Sequence, residues 1–351
     1  MPSESERAAA LAPPRAYGAA PARAALRSAA EDFQVEEQLG FAPAGSGPHV
    51  LLRVRKVNAN TAWVARELAR AAGCRAHEVG YAGLKDRRAV ALQWFSVPRP
   101  RQAPEWTSLR GEGYEVLEAH AHQRKLPRGA LAGNGFVIRL RPASGSGAQL
   151  RAALAPRLAL IERGGVPNYF GAQRFGRDGA NLTPRAAPAS LPAPERGFVL
   201  SAARALIFNA VLAARVRAGS WEQLLPGELA NLDGSGSVFA VASLDAALEA
   251  RRAALDVHPT GPLWGAGGLT PAGALGQLES EVAAAFPAQA QLCLDAGMRG
   301  ERRSLRLAVR ELQVQEEPAA LRVSFRLVRG AFATAVLREL VDELDAPEGE
   351  G

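Results

Sequence analysis

Two-residue alternation of apolar and polar side chains marks both ends of this chain, and a long stretch without it lies between. A sheet must therefore be completed by strands from far down the sequence. Within His49–Val57, Val50, Leu52 and Val54 fall on one face and Arg53 and Arg55 on the other, the signature of a half-buried strand. Phe33–Leu39, Val79–Ala82, Ala89–Val97 and the segment holding Phe136, Ile138 and Leu140 read as further strands. Toward the other end, Leu321, Val323, Phe325 and Leu327 alternate with Arg322, Ser324 and Arg326. Leu305–Val314 alternates too, with a phase slip near Arg310 that predicts a bulge.

Helical spacing prevails elsewhere. Asn60 or Thr61 caps a helix through Ala72, stopped by Gly73. Gln149–Glu162 ends at Gly164-Gly165, Ser201–Val216 has Ser201 as its cap, and Leu244–Leu255 has Ser243. Thr270 and Pro271 open a helix over Ala272–Phe286, and Gly330 turns the chain into a last one, Phe332–Leu344. The layout is α/β (α+β), one sheet domain interrupted by a mostly helical insertion. Residues 1–25 read as a loosely ordered arm, and Pro184–Pro194 as a Pro/Ala-rich connector.

The 351 residues are 48% hydrophobic and 22% charged, enough for a sizeable core and about two domains. A net charge of +7 points to an anionic partner. Nearly all of the basic excess is arginine, with Lys56, Lys85 and Lys125 the only lysines, as a GC-rich genome would also give. Cys74 and Cys293 form no disulfide framework and suit a reducing compartment. No apolar core in the first thirty residues reads as a signal peptide, and no run approaches the roughly 20 apolar residues of a membrane span. A cytoplasmic, monomeric protein that needs no membrane is expected.

The chemistry concentrates in Gly80-Tyr-Ala-Gly-Leu-Lys-Asp-Arg-Arg-Ala-Val90, where Asp86 stands among Lys85, Arg87 and Arg88 at a strand-to-strand connection. Neighbouring cations favour its ionised form and attract a polyanion. An isolated aspartate of this kind is ordinarily a turn residue on a solvated face, so other segments must carry the functional reading. Glu31-Asp-Phe-Gln-Val-Glu-Glu37 sets Phe33 just upstream of a strand, and Gly133-Asn-Gly-Phe136 puts Asn134 and Phe136 on one side of another. Pro167–Gly176 packs Tyr169, Gln173 and Arg174 between glycines, and Gly330–Thr334 places Phe332 at a strand-to-helix turn. Amides and rings suit an extruded nucleobase: the amide bonds its Watson–Crick edge, and stacking, worth about 1–3 kcal/mol per base, offsets the cost of unstacking. Taken singly, Phe33, Phe136 and Phe332 would be core residues. His120 and His122 form an H-x-H pair without a third ligand at suitable spacing, and no G-x-G-x-x-G follows a strand. Neither a metal hydrolase nor a dinucleotide fold is expected.

Six segments in order, EDFQVEE, GYAGLKDRRAV, GNGFVIRLR, VPNYFGAQRFG, SAARALIFN and RGAFATAVLREL, resemble the TruD family of tRNA pseudouridine synthases. The resemblance implies isomerisation of uridine to pseudouridine at position 13, in the D arm of tRNA, with neither metal nor organic cofactor. It puts the catalytic aspartate at Asp86 and the uridine site at Phe33, Asn134 and Phe332, with Phe136 as a pocket wall. The basic residue before the EDF stretch, often lysine in relatives, is Arg27 here and could pair with Asp86. Tyr169, Gln173 and Arg174 could line an RNA cleft or lock two domains together. The implied fold is a pseudouridine-synthase-type mixed antiparallel sheet domain, 26–164 plus 306–351, interrupted by a mainly helical α/β TRUD domain at 165–305. The aspartate could attack C1′, attack C6 or remove the C2′ proton; each route needs a carboxylate held anionic and dry beside a cation. The alternatives are a non-catalytic RNA-binding protein and a synthase acting on another RNA.

Overall fold

The structure, a computed structural model, describes residues 3, 4, 8, 11–183 and 190–344. Most of the first ten residues of the expected arm, and residues 184–189 of the expected connector, lie outside the described residues. The chain runs β1 (Ala22–Ala25), β2 (Phe33–Gln38), β3 (His49–Val57), α1 (Thr61–Ala72), β4 (Gly80–Tyr81), β5 (Val90–Pro98), β6 (Arg110–Gly111), β7 (Tyr114–His122), β8 (Gly133–Pro142) and α2 (Gly147–Gly164). It continues through β9 (Val166–Pro167), α3 (Ala193–Arg217), β10 (Leu229–Leu232), β11 (Val238–Ala240), α4 (Ala246–Ala253), β12 (Val257–Leu263), α5 (Gly273–Ala284) and α6 (Pro287–Asp295). Last come β13 (Glu301–Ser304), β14 (Arg306–Leu307), β15 (Arg310–Glu317), β16 (Ala320–Val328), α7 (Ala333–Leu340) and β17 (Val341–Glu343). Two compact units emerge: Pro21–Ala155, Arg310–Gly330 and Val341–Gly351 form a sheet unit, and Met1–Ala20, Pro156–Val309 and Ala331–Leu340 a helical unit.

The sheet unit is built on one mixed sheet in the order β15-β16-β8-β2-β5-β3-β7-β6, with β4 on β5 and β1 joining β8 to β17. β2/β5 and β1/β17 are parallel; the other pairs are antiparallel. Registration puts Phe33 opposite Ile138, Val35 opposite Phe136, Glu37 opposite Asn134, and Phe136 opposite Phe325, so these side chains share a face. On that face Val50, Leu52 and Val54 bury against Val64 and Leu68 of α1, each worth about 1.5–3 kcal/mol when fully removed from water. Asn60 caps α1 by accepting from the N–H of Ala62 at 2.8 Å, and Gly73 ends it at φ 63°, both as the sequence indicates. The opposite face carries Gln34, Glu36, Gln38, Arg55, Ser324 and Arg326 around an open groove of about 360 Å³. The phase slip near Arg310 is a bulge: the β15/β16 register shifts between Arg310 and Gln313, and Glu311 takes φ 52°.

In the helical unit, Ala202, Leu206, Phe208 and Leu212 of α3 are fully buried. By length and composition the Glu195–Arg217 helix could cross a membrane, but charged residues, Arg204 among them, interrupt its apolar stretch and most of it is buried, so it is a core helix. Within this unit the buried Arg215 guanidinium meets Glu228 at 3.0 Å and also donates to the carbonyls of Ser220 and Gln223. The insertion contains a four-stranded sheet, β11-β10-β12-β13, which the sequence does not announce, because β12 (VHPTGPL) holds two prolines and a glycine. Pro192, not Ser201, is the N-cap of α3, and α5 begins at Gly273 without a side-chain cap.

The expected loose arm is not loose from Pro13 onward. In the helical unit Arg15 donates to the carbonyl of Arg338 at 2.5 Å, Arg338 donates to the carbonyl of Pro13, and the Tyr17 hydroxyl donates to the carbonyl of Gly165 at 2.7 Å. In the sheet unit Ala22–Ala25 is a strand. Its four residues are too few and too small for alternation to show.

Candidate active site

The Asp86 loop, between β4 and β5, is held by buried side chains rather than by a regular turn. Gln93 of β5 donates to the Gly83 carbonyl at 2.8 Å, Thr61 at the start of α1 accepts from the Lys85 N–H at 3.1 Å, and Lys56 of β3 donates to the Asp86 carbonyl at 3.0 Å. Thr61 also donates to the Gln93 amide oxygen at 3.1 Å. Lys56, Gln93, Thr61 and Glu37 are all nearly or wholly buried. Gly80, at the loop's entry, must be glycine, because a Cβ there would lie 2.5 Å from the Leu126 carbonyl oxygen.

Two expectations about the charges are corrected. Lys85 does not pair with Asp86: its ammonium turns inward to Glu37 at 2.5 Å, and Glu37 also accepts from the Trp94 N–H at 2.9 Å. A buried carboxylate attracts the adjacent lysine more strongly than a hydrated one can. Burial pushes the Glu37 carboxyl up, against the pull of Lys85 and of the Trp94 N–H. Nor is Asp86 dry, since its side chain is 57% exposed. Its partner is Arg27, with Nη2 3.2 Å from Oδ2.

The Arg27 guanidinium lies 4.4 Å over the Phe33 ring. Phe33 meets Phe136 edge-on at 6.2 Å, and Phe136 stacks on Phe325 at 5.4 Å. Phe33 and Phe136 are buried, so they form a floor beneath Arg27 rather than open stacking faces. Asn134, opposite Glu37, has a buried side-chain oxygen that accepts no hydrogen bond among the described residues. Leaving a buried acceptor unpaired costs about 1–3 kcal/mol, so this amide is poised for a donor. Arg27, Ser28, Asn58 and Arg88 line a cavity of about 200 Å³ beside the ion pair. Arg27, Phe33, Asn134 and Phe136 thus share the unit of Asp86.

Phe332, Tyr169, Gln173 and Arg174 belong to the helical unit. There Phe332 lies 6.2 Å from Phe170, and the Arg174 guanidinium is 5.5 Å from Phe170 and 5.7 Å from Phe332. Arg174 also donates to the Ser201 hydroxyl at 3.0 Å, and burial lowers its pKa. Arg303 lies 4.3 Å over Phe170, its pKa brought down to about 9 by burial and then by Arg174. Tyr169 is 2% exposed and sits in the core of this unit, not on a surface for RNA. Gln173 is exposed. Asn209 fixes the Phe170 backbone from both sides, accepting from its N–H at 2.9 Å and donating to its carbonyl at 3.0 Å, which gives the end of the SAARALIFN segment a physical role.

Sequence reasoning missed Glu37, Lys56, Thr61, Gln93, Phe170 and Asn209. Part of the signal is there: Glu37 continues the inward phase of Phe33 and Val35, and Lys56 that of Val50, Leu52 and Val54. Among the described residues no group of three His, Cys, Asp or Glu side chains could hold a metal ion. His120 instead meets Glu118 at 3.1 Å, and the His122 ring stacks on Phe41.

A family model described as tRNA pseudouridine synthase D (TruD) matches residues 15–182 and 181–340. Among curated proteins, the chain is 48% identical over 343 residues to tRNA pseudouridine synthase D of Nitrosococcus oceani, covering 94% of each. It is 46% identical over 355 residues to the Xanthomonas axonopodis pv. citri protein of the same name, covering 95% of each. Among solved structures, a Methanosarcina mazei protein titled a putative tRNA pseudouridine synthase D superposes with TM-score 0.76 over 97% of this chain and 98% of that one, at 21% identity. That likeness bears on the fold, a large mixed sheet with helical insertions.

Proposed function

Since the chain belongs to the TruD family of tRNA pseudouridine synthases, and so is an isomerase acting on uridine in tRNA, we propose that Asp86 carries out the chemistry at position 13 of the D arm. The observation that carries this reading is the Arg27–Asp86 pair at 3.2 Å, set over a ring floor and on the sheet unit that holds the unpaired amide oxygen of Asn134. A carboxylate beside a fixed guanidinium can act as nucleophile or base at C1′, C6 or C2′. Its exposure leaves it open to an extruded nucleotide, and the arriving base and ribose would supply the dryness that the free protein lacks.

The Asn134 oxygen can accept the N3–H of uracil, satisfying an acceptor that is otherwise buried without a donor. The resemblance assigns the stacking ring to Phe332, whose own surroundings, Phe170 and Arg174, suit a flat, polarisable base. The base must be held after the glycosidic bond breaks, because the uracil rotates before it is rejoined through C5. Phe33 supports Arg27 and not the base directly.

The test is Asp86→Asn in single-turnover tritium release from uridine-labelled tRNA. Product is expected to vanish while tRNA affinity stays within about threefold, because phosphate contacts dominate binding. Normal turnover by this variant would refute the assignment. Pseudouridine mapping in total tRNA, from cells lacking and then regaining the protein, tests position 13.

A further inference from the structure

We propose that Lys56 is a positioning residue for this reaction: its ammonium, bonded to the Asp86 carbonyl, holds the aspartate's backbone from beneath and supplies the buried positive charge that the carboxylate faces. The inference rests on the reading of Asp86 as the reacting group.

The geometry is that of a clamp. Lys56 lies on the inward side of β3, is fully buried, and donates from Nζ to the carbonyls of Ala59 and Asp86, each at 3.0 Å. Neither carbonyl cancels its charge. The ionisable groups around it are Glu37 from β2, Lys85 and Asp86 from the loop, and Tyr114, opposite it on β7. Glu37 is taken up by Lys85, and burial raises the Tyr114 phenol above its ordinary value. Two cations and one anion are therefore enclosed beneath the loop, and the Asp86 carboxylate, itself paired with Arg27, is the other anion that acts on the Lys56 ammonium.

Stability asks here for a donor to the Ala59 and Asp86 carbonyls, not for a full charge. An apolar side chain of the same length would fill the space under α1 without desolvating a charge, and replacing buried ions by apolar groups is often neutral or stabilising. What an apolar side chain would lose is the bonds to the Ala59 and Asp86 carbonyls and the field on the Asp86 carboxylate. A small displacement of a reacting group costs a large factor in rate.

Burial brings the Lys56 ammonium down from 10.5 to about 8, with Asp86 and Glu37 opposing the fall and Lys85 adding to it. The ammonium is therefore charged below about pH 8 and lost above it. The folded state then binds fewer protons than the unfolded one, so this residue's contribution to stability rises with pH over that interval. Loss of rate above pH 8 would not be unfolding through Lys56.

The experiment compares wild type, Lys56→Met, Lys56→Arg and Asp86→Asn in single-turnover rate and tRNA affinity across pH. Lys56→Met is expected to lose about 100-fold in rate with affinity within about threefold, and Lys56→Arg to recover at least about tenfold of that loss. The wild-type rate should fall as pH rises past about 8. Lys56→Arg, which meets the same substrate titrations but stays charged, should hold its rate further. A wild-type rate in Lys56→Met beside an inactive Asp86→Asn would overturn the role of Lys56 alone, whereas an active Asp86→Asn would overturn the reading beneath it. Should Lys56→Met fail to fold, Lys56→Gln, which keeps a donor without the charge, takes its place, and a wild-type rate in it would overturn the proposal.

Discussion

At Arg27 one guanidinium meets two demands, pairing with Asp86 at 3.2 Å and covering the Phe33 ring at 4.4 Å. A lysine could meet the first as a point charge but only part of the second, since it lacks a plane to lay on the ring. Arg27→Lys is therefore expected to keep its single-turnover rate within about threefold, while Arg27→Gln, which removes the charge, loses at least about tenfold, or 1.4 kcal/mol of transition-state stabilisation. Equal rates for the glutamine and lysine variants would show that the charge is not used. At this scale the sequence displays the proposed reacting group and hides its support. Asp86 stands out because it is a carboxylate among cations, whereas Lys56 and Glu37 matter through burial, which only the packing of β3, β2 and α1 reveals. Lys85 misleads for the same reason: adjacency in sequence suggests a partnership with Asp86, but a buried acceptor lies within reach.

Gly133 shows how an element sets a site. A Cβ there would lie 2.3 Å from the Leu327 carbonyl oxygen across the β8/β16 pair, so Gly133→Ala must push the strands apart beside Asn134. The expected cost is about 1–3 kcal/mol, measured by urea denaturation, with a larger loss of activity than Gly135→Ala, where a Cβ meets nothing closer than 3.6 Å. An unchanged denaturation midpoint in Gly133→Ala would contradict the close approach. The long alternating strands were legible because each has one buried and one solvated face. Where tertiary pairing outweighs local preference, the pattern misreads. Helical spacing predicts a helix to Leu344, yet the chain leaves it at Leu340 because Val341–Glu343 pairs with Ala22–Ala24. Leu305–Val314 reads as one strand, but it divides into β14 in one unit and β15 in the other.

For the whole molecule, a net charge of +7 makes tRNA binding depend on salt. The cavity beside Asp86 is lined by Arg27 and Arg88, and among the described residues Arg88 makes no ion pair, so it is available to a phosphate of the tRNA backbone. Arg88→Gln should reduce the slope of log affinity against log salt by about 0.7–0.9, the loss of one phosphate contact, whatever the tRNA sequence. An unaltered slope would place no phosphate there.

The eight-residue pairing of β8 with β16 joins segments that leave the ribosome far apart in time. At about 5–20 residues per second, the interval between completing one strand and the other is roughly 10–40 s. Throughout it β8 is a bare edge whose row of N–H and C=O groups, with Phe136 among its side chains, can template the wrong partner. Until its last strands arrive, a nascent chain of this kind carries that hazard of mispairing and aggregation, which the finished sheet removes.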